Sequence, residues 1–241
     1  TLITGTSGGV LKVWDLSTTA REVTGVLSLD KKPATALSFI NDTTFAIGVD
    51  RSDTGGKSGA VFLLEMAPAP EVPQTGGRQL KGSHSRKIKI IKKLHNIGKG
   101  VVTSIKMSPD GGYLACSSAD GNVYFFNPAN DYAPVGLADC HSGTEVSDFD
   151  WSENGDFIRC FGPIEPNDSS IKLSFFSIEK GSNDAPATPL KEDMDIEPIS
   201  NGKLKWATSS SPAAFESAGC HPSLVPGVGA ELKEMPNKVE F

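Results

Sequence analysis

The sequence has few of the residues that carry metal binding, redox chemistry or nucleophilic catalysis. Its 241 residues include four cysteines and four histidines. The cysteines form no CxxC pair and the histidines no HxxxH pair: Cys116, Cys140, Cys160, Cys220; His84, His95, His141, His221. This spacing excludes the usual zinc and redox motifs. We expect reduced cysteines in an intracellular protein, while a disulfide between two of them stays open.

Long apolar runs are also absent. No run approaches the roughly 18–20 residues that a membrane-spanning helix needs. Thr1 is not an initiator methionine, and no charged-then-apolar leader follows it. We therefore expect no membrane association and a cytoplasmic location.

Glycine and proline, by contrast, are abundant. The chain has 25 glycines and 16 prolines, with an apolar content of 38% and an aromatic content of 7%. This composition supplies enough apolar residues for a sizeable core and suits a turn-rich all-β protein.

The clearest pattern lies in residues 95–127, where three short β-prone runs are separated by two turns. The first turn is Ser108-Pro109-Asp110-Gly111-Gly112 and the second is Ala119-Asp120-Gly121. In such turns Pro presets φ, Asp hydrogen-bonds the nearby backbone and Gly accepts a positive φ. Short strands joined in this way form an antiparallel meander.

This layout of His, strand, Ser-Pro-Asp-Gly, strand, Ser-x-Asp-Gly and aromatic strand resembles a WD repeat, the blade unit of a β-propeller. In that family a His and a turn Asp join a hydrogen-bond network that ties the loops of a blade together. The resemblance implies these structural roles for His95 and Asp120 and, in the next blade, for His141. The namesake Trp-Asp pair occurs only at Trp14-Asp15.

The same pattern of short strands and turns divides the whole chain into predicted blades. We predict an all-β fold, a WD-repeat β-propeller or a propeller segment, with four to five antiparallel blades of about 40–45 residues each. The predicted blades are residues 1–29, 34–94, 95–138, 141–190 and 202–241, with a flexible insertion at residues 67–85. Because the first blade lacks its first strand, we expect missing sequence on the N-terminal side. Closure of the ring by this chain alone stays open.

A basic stretch stands out in a chain whose net charge is −6. Eight Lys or Arg residues and no Asp or Glu fall between positions 78 and 99. The members on the predicted outer strand are Arg86, Lys87, Lys89, Lys92 and Lys93. Two interpretations compete: a binding surface for an acidic partner, or lysines that protect a sheet edge from aggregation.

The region from about residue 98 to 219 resembles the echinoderm microtubule-associated protein-like family. The resemblance is carried by residues 102–126, by His141-Ser142, by residues 146–152 and by the Trp-containing segment at residues 203–208. Members of that family bind tubulin or microtubules through tandem propellers. The sequence departs from the family at Ser209-Ser210-Ser211-Pro212, where a further Trp and apolar residues are expected.

We therefore favour a non-enzymatic protein-interaction scaffold that associates with tubulin or microtubules. The alternative is a WD-repeat adaptor in another assembly, such as a trafficking coat or a ubiquitin-ligase complex. No nucleophile, base and orienting group recur at a plausible spacing, so no catalytic residue, cofactor or metal is predicted. One basic stretch in a chain of pI about 5.3, without interleaved aromatics, argues against nucleic acid as a partner.

Overall fold

The computed structural model describes residues 1–16, 22–51, 59–67, 86–141, 143–164, 171–179, 187–189 and 205–207. These residues form fifteen strands in four antiparallel sheets, and within each sheet the strands neighbour one another in chain order. The predicted all-β, antiparallel architecture is confirmed. Most of the predicted insertion and of the predicted blade at residues 202–241 lies outside the described residues. No described helix is long and apolar enough to cross a membrane.

The first two sheets lie in the N-terminal part of the chain. Sheet 1 contains β1 (Leu2–Gly5), β2 (Val10–Trp14) and β3 (Val23–Ser28). Sheet 2 contains β4 (Ala34–Phe39), β5 (Thr44–Val49), β6 (Gly59–Met66) and β7 (Ile88–Ile97). Sheet 1 thus has three strands and sheet 2 has four.

The other two sheets each have four strands. Sheet 3 contains β8 (Val102–Met107), β9 (Leu114–Ser118), β10 (Asn122–Asn127) and β11 (Ala133–Asp139), with a 3-10 turn at Pro128–Asn130 before β11. Sheet 4 contains β12 (Asp148–Trp151), β13 (Phe157–Pro163), β14 (Ile171–Ile178) and β15 (Ala187–Pro189).

The sheets pack face to face in chain order, because successive residues of a strand project to opposite faces. In β6, Phe62 and Leu64 join a core shared with sheet 1, whereas Val61 and Leu63 join a core shared with sheet 3. A third core, which contains Phe125 and Trp151, joins sheet 3 to sheet 4. The middle sheets are therefore buried on both faces, which explains the almost continuous apolar runs of β5 and β6.

A repeated turn shows that sheets 3 and 4 are built alike. Ser108 N donates to Tyr113 O and Ser108 Oγ donates to Asp110 Oδ1, before Gly111 at φ 73°. In the corresponding turn of sheet 4, Ser152 N donates to Phe157 O and Ser152 Oγ donates to Asn154 Oδ1, before Gly155 at φ 71°. The Ser-x-Asp/Asn-Gly pattern therefore closes the hairpin between the first two strands of each sheet.

Sheet 4 receives one further segment at its β12 edge. Ser152 forms an antiparallel bridge with Trp206, and Ala207 N donates to Trp151 O at 2.8 Å. The Trp206 ring also stacks against the Arg159 guanidinium, 4.3 Å from ring centroid to Cζ. This contact brings part of the predicted Trp-containing segment next to the fourth sheet.

Candidate interaction surface

Asp120 lies at the centre of a hydrogen-bonded turn between β9 and β10. Its carboxylate accepts from Lys99 N at 2.8 Å, Tyr124 Oη at 2.8 Å and Asn122 N at 3.3 Å. Burial alone would raise the pKa of Asp120, but these hydrogen bonds outweigh it and hold the pKa below its usual range. The turn therefore fastens the loop that precedes β8 to the β9–β10 hairpin.

Gly98 explains how the loop comes so close to Asp120. Its φ of 65° is a left-handed conformation that suits glycine, and a Cβ there would overlap Asp120 Oδ2 and lie 2.6 Å from Tyr124 Oη. The carboxylate and the phenol thus occupy the space that a side chain at position 98 would need.

The structure corrects the predicted partner of Asp120. His95 does not open a new blade but lies inside β7, the last strand of sheet 2, with an exposed side chain. Its Nδ1 lies 3.2 Å from Arg51 Nη1, and its ring packs edge-on against Phe62. The prediction of a His95–Asp120 network is therefore wrong, because the strand continues through His95 and carries its side chain to other partners.

His141, in contrast, is 1% exposed and sits between sheets 3 and 4. Its backbone N donates to Gly121 O at 3.0 Å, and its Nδ1 lies 3.2 Å from Glu145 O. A Cβ at Gly162 of β13 would lie 2.5 Å from His141 Nδ1. His141 therefore fills a tight space between the Asp120-Gly121 turn and the fourth sheet.

Trp14 and Asp15 end the second strand of sheet 1. Trp14 Nε1 donates to Thr4 Oγ1 at 3.0 Å, and Asp15 N donates to Glu22 O at 2.9 Å. Both contacts stay within sheet 1 and its flanking residues. These two hydrogen bonds hold the end of β2 to neighbouring residues of sheet 1.

Three of the five basic residues (Lys89, Lys92 and Lys93) lie on β7, which forms the outer edge of sheet 2, and Arg86 and Lys87 immediately precede it. Lys89 is paired with Glu65 and Lys92 with Leu63, whereas Ile91 stands between them with no opposite residue on β6. This β-bulge shifts the alternation of side chains along the strand. Residues directly opposite each other in an antiparallel pair share a face, so Lys89 and Lys92 both project toward the sheet 3 side.

Lys93 projects to the other face. It is paired with Phe62, and its Nζ lies 5.1 Å from the centroid of that ring. Lys87 is exposed, and Arg86 Nη1 donates to Thr1 Oγ1 at 3.2 Å. The three lysines of β7 are therefore distributed over both faces of the strand, and the five predicted basic residues do not form one row.

Two of these lysines contact acidic side chains. Lys89 Nζ lies 2.6 Å from Glu65 Oε2, and the two side chains are 69% and 42% exposed. Lys92 Nζ lies 2.5 Å from a carboxylate oxygen of Asp131, in the turn before β11. Pairs this exposed contribute little to stability and are screened by salt. Beside them Ile91 is 47% exposed, so the outer strand presents an apolar side chain among cations.

A second charged cluster, which sequence reasoning missed, is buried between sheets 3 and 4. Lys106 Nζ lies 2.9 Å from Asp148 Oδ1 and 3.1 Å from Asp150 Oδ1, and Arg159 Nη2 lies 3.1 Å from Asp150 Oδ2. Asp150 is fully buried and Arg159 is 2% exposed. The available signal was the presence of charged residues in the predicted strands at positions 106, 148, 150 and 159.

Burial and a neighbouring cation act in opposite directions on the pKa of Asp148. Burial would raise its pKa, but the Lys106 ammonium and its hydrogen bonds hold the pKa below the usual range. Among the described residues, no group of three or more His, Cys, Asp or Glu side chains is placed to hold a metal ion. The cluster is therefore built as a contact between two sheets.

Two comparisons place this architecture among known proteins. The family model for the WD domain, G-beta repeat, matches residues 82–127, which end at the last residue of β10. A ciliary WD repeat-containing protein, ctxp80, from Euplotoides octocarinatus is 26% identical over 184 residues, which cover 76% of this chain and 24% of that protein. The chain thus spans about a quarter of that relative's length.

These findings agree with the antiparallel sheets. The matched repeat supplies the end of one sheet and the first three strands of the next, and the other sheets repeat the same order. WD40 repeats are indicative of a protein-interaction scaffold. Residues 82–127 thus match a WD repeat, and the four antiparallel sheets of the described residues are consistent with a segment of a WD-repeat β-propeller.

Proposed function

We propose that this propeller segment is a non-enzymatic scaffold that binds tubulin or microtubules, and that its outer strand β7 supplies part of the contact. The observation that carries the proposal is the group of solvent-facing cations on β7 around the exposed Ile91. An edge strand of this kind can reach a partner without disturbing the cores on either side. The C-terminal tails of tubulin are acidic and offer the opposite charge.

The cellular location in the name of one relative also supports the proposal. The relative from Euplotoides octocarinatus is named as a ciliary protein, and cilia are built on microtubules. The resemblance of residues 98–219 to the echinoderm microtubule-associated protein-like family points in the same direction. A cytoplasmic, cytoskeletal location follows as part of the same proposal.

The ion pairs on β7 are compatible with such binding. Glu65 is exposed beside Lys89, and Asp131 is 87% exposed beside Lys92. A polyanionic partner would compete with these two carboxylates for the lysines. Because exposed pairs are worth about 0–1 kcal/mol, exchanging one carboxylate for another costs little.

Sedimentation with polymerised tubulin tests the proposal. The purified chain is spun with microtubules whose acidic tails are intact and with microtubules whose tails have been removed by limited proteolysis. We expect the chain to pellet with the intact polymer and to stay largely in the supernatant with the trimmed polymer.

Two results would contradict the proposal in different ways. A chain that stays in the supernatant in both cases is no microtubule scaffold, and the alternative of an adaptor in another assembly then gains support. A chain that pellets equally with both polymers binds the tubulin body, and the electrostatic contact with the tails is then wrong.

A further inference from the structure

Two cysteines from consecutive sheets meet in the core between them. Cys140 follows β11 of sheet 3 and Cys160 lies within β13 of sheet 4; they are 3% and 0% exposed. The two Sγ atoms are 2.9 Å apart. This is closer than unbonded sulfur atoms usually approach, and it exceeds the S–S bond length of about 2.05 Å by less than roughly 1 Å.

The backbone holds both residues in this position. Cys140 N donates to Gly121 O at 3.0 Å, and Cys140 O accepts from Ser174 Oγ of sheet 4 at 3.3 Å. Cys160 is paired with Phe149 on one side and with Ser174 on the other. The register of β13 and the hydrogen bonds of Cys140 therefore hold the two sulfur atoms beside each other.

We propose that Cys140 and Cys160 form a disulfide that links sheet 3 covalently to sheet 4. The oxidant is a small-molecule disulfide of the glutathione class. One cysteine thiolate attacks it, a mixed disulfide forms and one glutathione thiolate leaves. The second cysteine thiolate then attacks the protein sulfur and releases the second glutathione. Two protein thiols lose two protons and two electrons, and one glutathione disulfide becomes two glutathione thiols.

The third described cysteine, Cys116, lies apart from this pair. Cys116 lies on β9 and packs into the core between sheets 2 and 3, on the opposite face of sheet 3 from the pair. It belongs to the same tryptic fragment as Cys140, because no Lys or Arg occurs between Lys106 and Arg159. Replacing Cys116 therefore makes the assignment of a cross-linked peptide unambiguous.

Burial sets the conditions under which the bond forms. Removal from water, together with the neighbouring Cys140 sulfur, raises the pKa of the Cys160 thiol well above its usual value, so little thiolate is present in the closed interface. Exchange must proceed when the two sheets separate transiently or before they close. Once formed, the bond is shielded from reductants in the same way.

The test uses the full chain, incubated with reduced glutathione alone or with an excess of oxidised glutathione at a temperature a few degrees below its Tm. Intact mass after denaturation and alkylation counts the free thiols, and tryptic digestion identifies linked fragments. The matched variants are Cys116→Ser, which leaves the pair, and Cys160→Ser, which removes it.

We expect oxidised wild type and Cys116→Ser to lose two alkylatable thiols and to yield a link between the fragment ending at Arg159 and the fragment beginning at Cys160. Cys160→Ser should give no such link. Closing this short loop should raise the Tm of the oxidised protein by roughly 6–12 °C over the reduced protein.

Full alkylation of all thiols in the oxidised wild type would overturn the proposal, as would a reaction that stops at the glutathione adduct. A link from Cys220 or Cys116 in place of Cys160 would overturn it as well. These readouts use wild type and Cys116→Ser, so the proposal remains testable even if Cys160→Ser folds poorly.

Discussion

At the residue scale, Asp120 and Gly98 show how a side chain and a backbone conformation depend on each other. The carboxylate accepts four hydrogen bonds from the loop and the hairpin because Gly98 lets the loop pass beside it. The sequence indicated the importance of the Asp120-Gly121 turn through its turn chemistry. It could not indicate the donors, because Lys99 contributes a backbone N–H, which every non-proline residue carries.

Gly98→Ala should destabilise the protein more than Gly111→Ala. Both glycines have a positive φ, of 65° and 73°, so both substitutions introduce similar backbone strain, on the order of 1 kcal/mol. Only at position 98 does the new Cβ also meet Asp120 and Tyr124, whereas nothing lies within 4 Å of a Cβ at position 111. Urea denaturation of both variants measures the difference. Equal losses would show that Asp120 does not pack as described.

Asp120→Ala should lower the free energy of unfolding by about 1–3 kcal/mol near neutral pH, because it leaves its donors, most of them partly buried, without an acceptor. Asp120→Asn is the conservative control, since it keeps one carbonyl oxygen and the shape of the side chain. Thermal or urea unfolding measures both.

The pH dependence of that loss follows from the lowered pKa of Asp120. A carboxyl whose folded pKa is depressed stabilises the protein above its unfolded pKa of about 3.9, and this contribution disappears as pH falls through the folded pKa. The stability gap between wild type and Asp120→Asn should therefore be full at pH 6 and shrink below about pH 4. A gap that grows on acidification would contradict the sign of the shift.

At the element scale, the strands were the most predictable feature. Alternating apolar residues between Gly- and Pro-rich turns marked the hairpins of sheets 2, 3 and 4. The position of His95 was not predictable, because the outer strand of sheet 2 runs on to Ile97 and only its pairing with Gly59 shows this. The bulge at Ile91 coincides with a break in the alternation of Ile and Lys at Ile90-Ile91, but such a doublet does not by itself distinguish a bulge from a strand buried on both faces.

The charges within strands divide into two classes that the sequence does not separate. Lys89 and Glu65 are exposed across β7 and β6 of sheet 2, whereas Asp150 and Arg159 are buried across β12 and β13 of sheet 4. The Asp150 carboxylate also forms an ion pair with Lys106 of sheet 3. Distance and burial, which only the structure provides, distinguish a solvated pair from a contact between sheets.

Asp150→Asn should therefore cost about 3–5 kcal/mol, because it leaves the Arg159 and Lys106 charges without their buried counter-charge. The matched control is Glu65→Gln, which removes one partner of an exposed pair and should cost about 0–1 kcal/mol. Chemical denaturation of both variants gives the comparison. Similar losses in the two would contradict the burial of the Asp150 cluster.

At the scale of the whole molecule, three cores connect four sheets in chain order. The sequence predicted the sheets but not which apolar residues face which neighbour, because burial on both faces removes the alternation that marks a half-buried strand. Function depends on what these cores leave outside, namely the outer strands and their side chains. Among these, β7 combines cations with an exposed isoleucine.

The binding of microtubules by two charge-reversed variants tests the central claim that β7 is the contact surface. Lys87→Glu with Lys89→Glu reverses one charge immediately before β7 and one on β7. Lys31→Glu with Lys32→Glu makes the same change of charge in the turn before β4. Affinity is measured by cosedimentation as ionic strength rises from about 0.01 M to about 0.15 M, over which the screening length falls from about 30 Å to about 8 Å. We expect wild type and the Lys31/Lys32 variant to bind at low salt and weaken with salt, and the Lys87/Lys89 variant to bind poorly throughout. Equal binding by the two variants would contradict the claim.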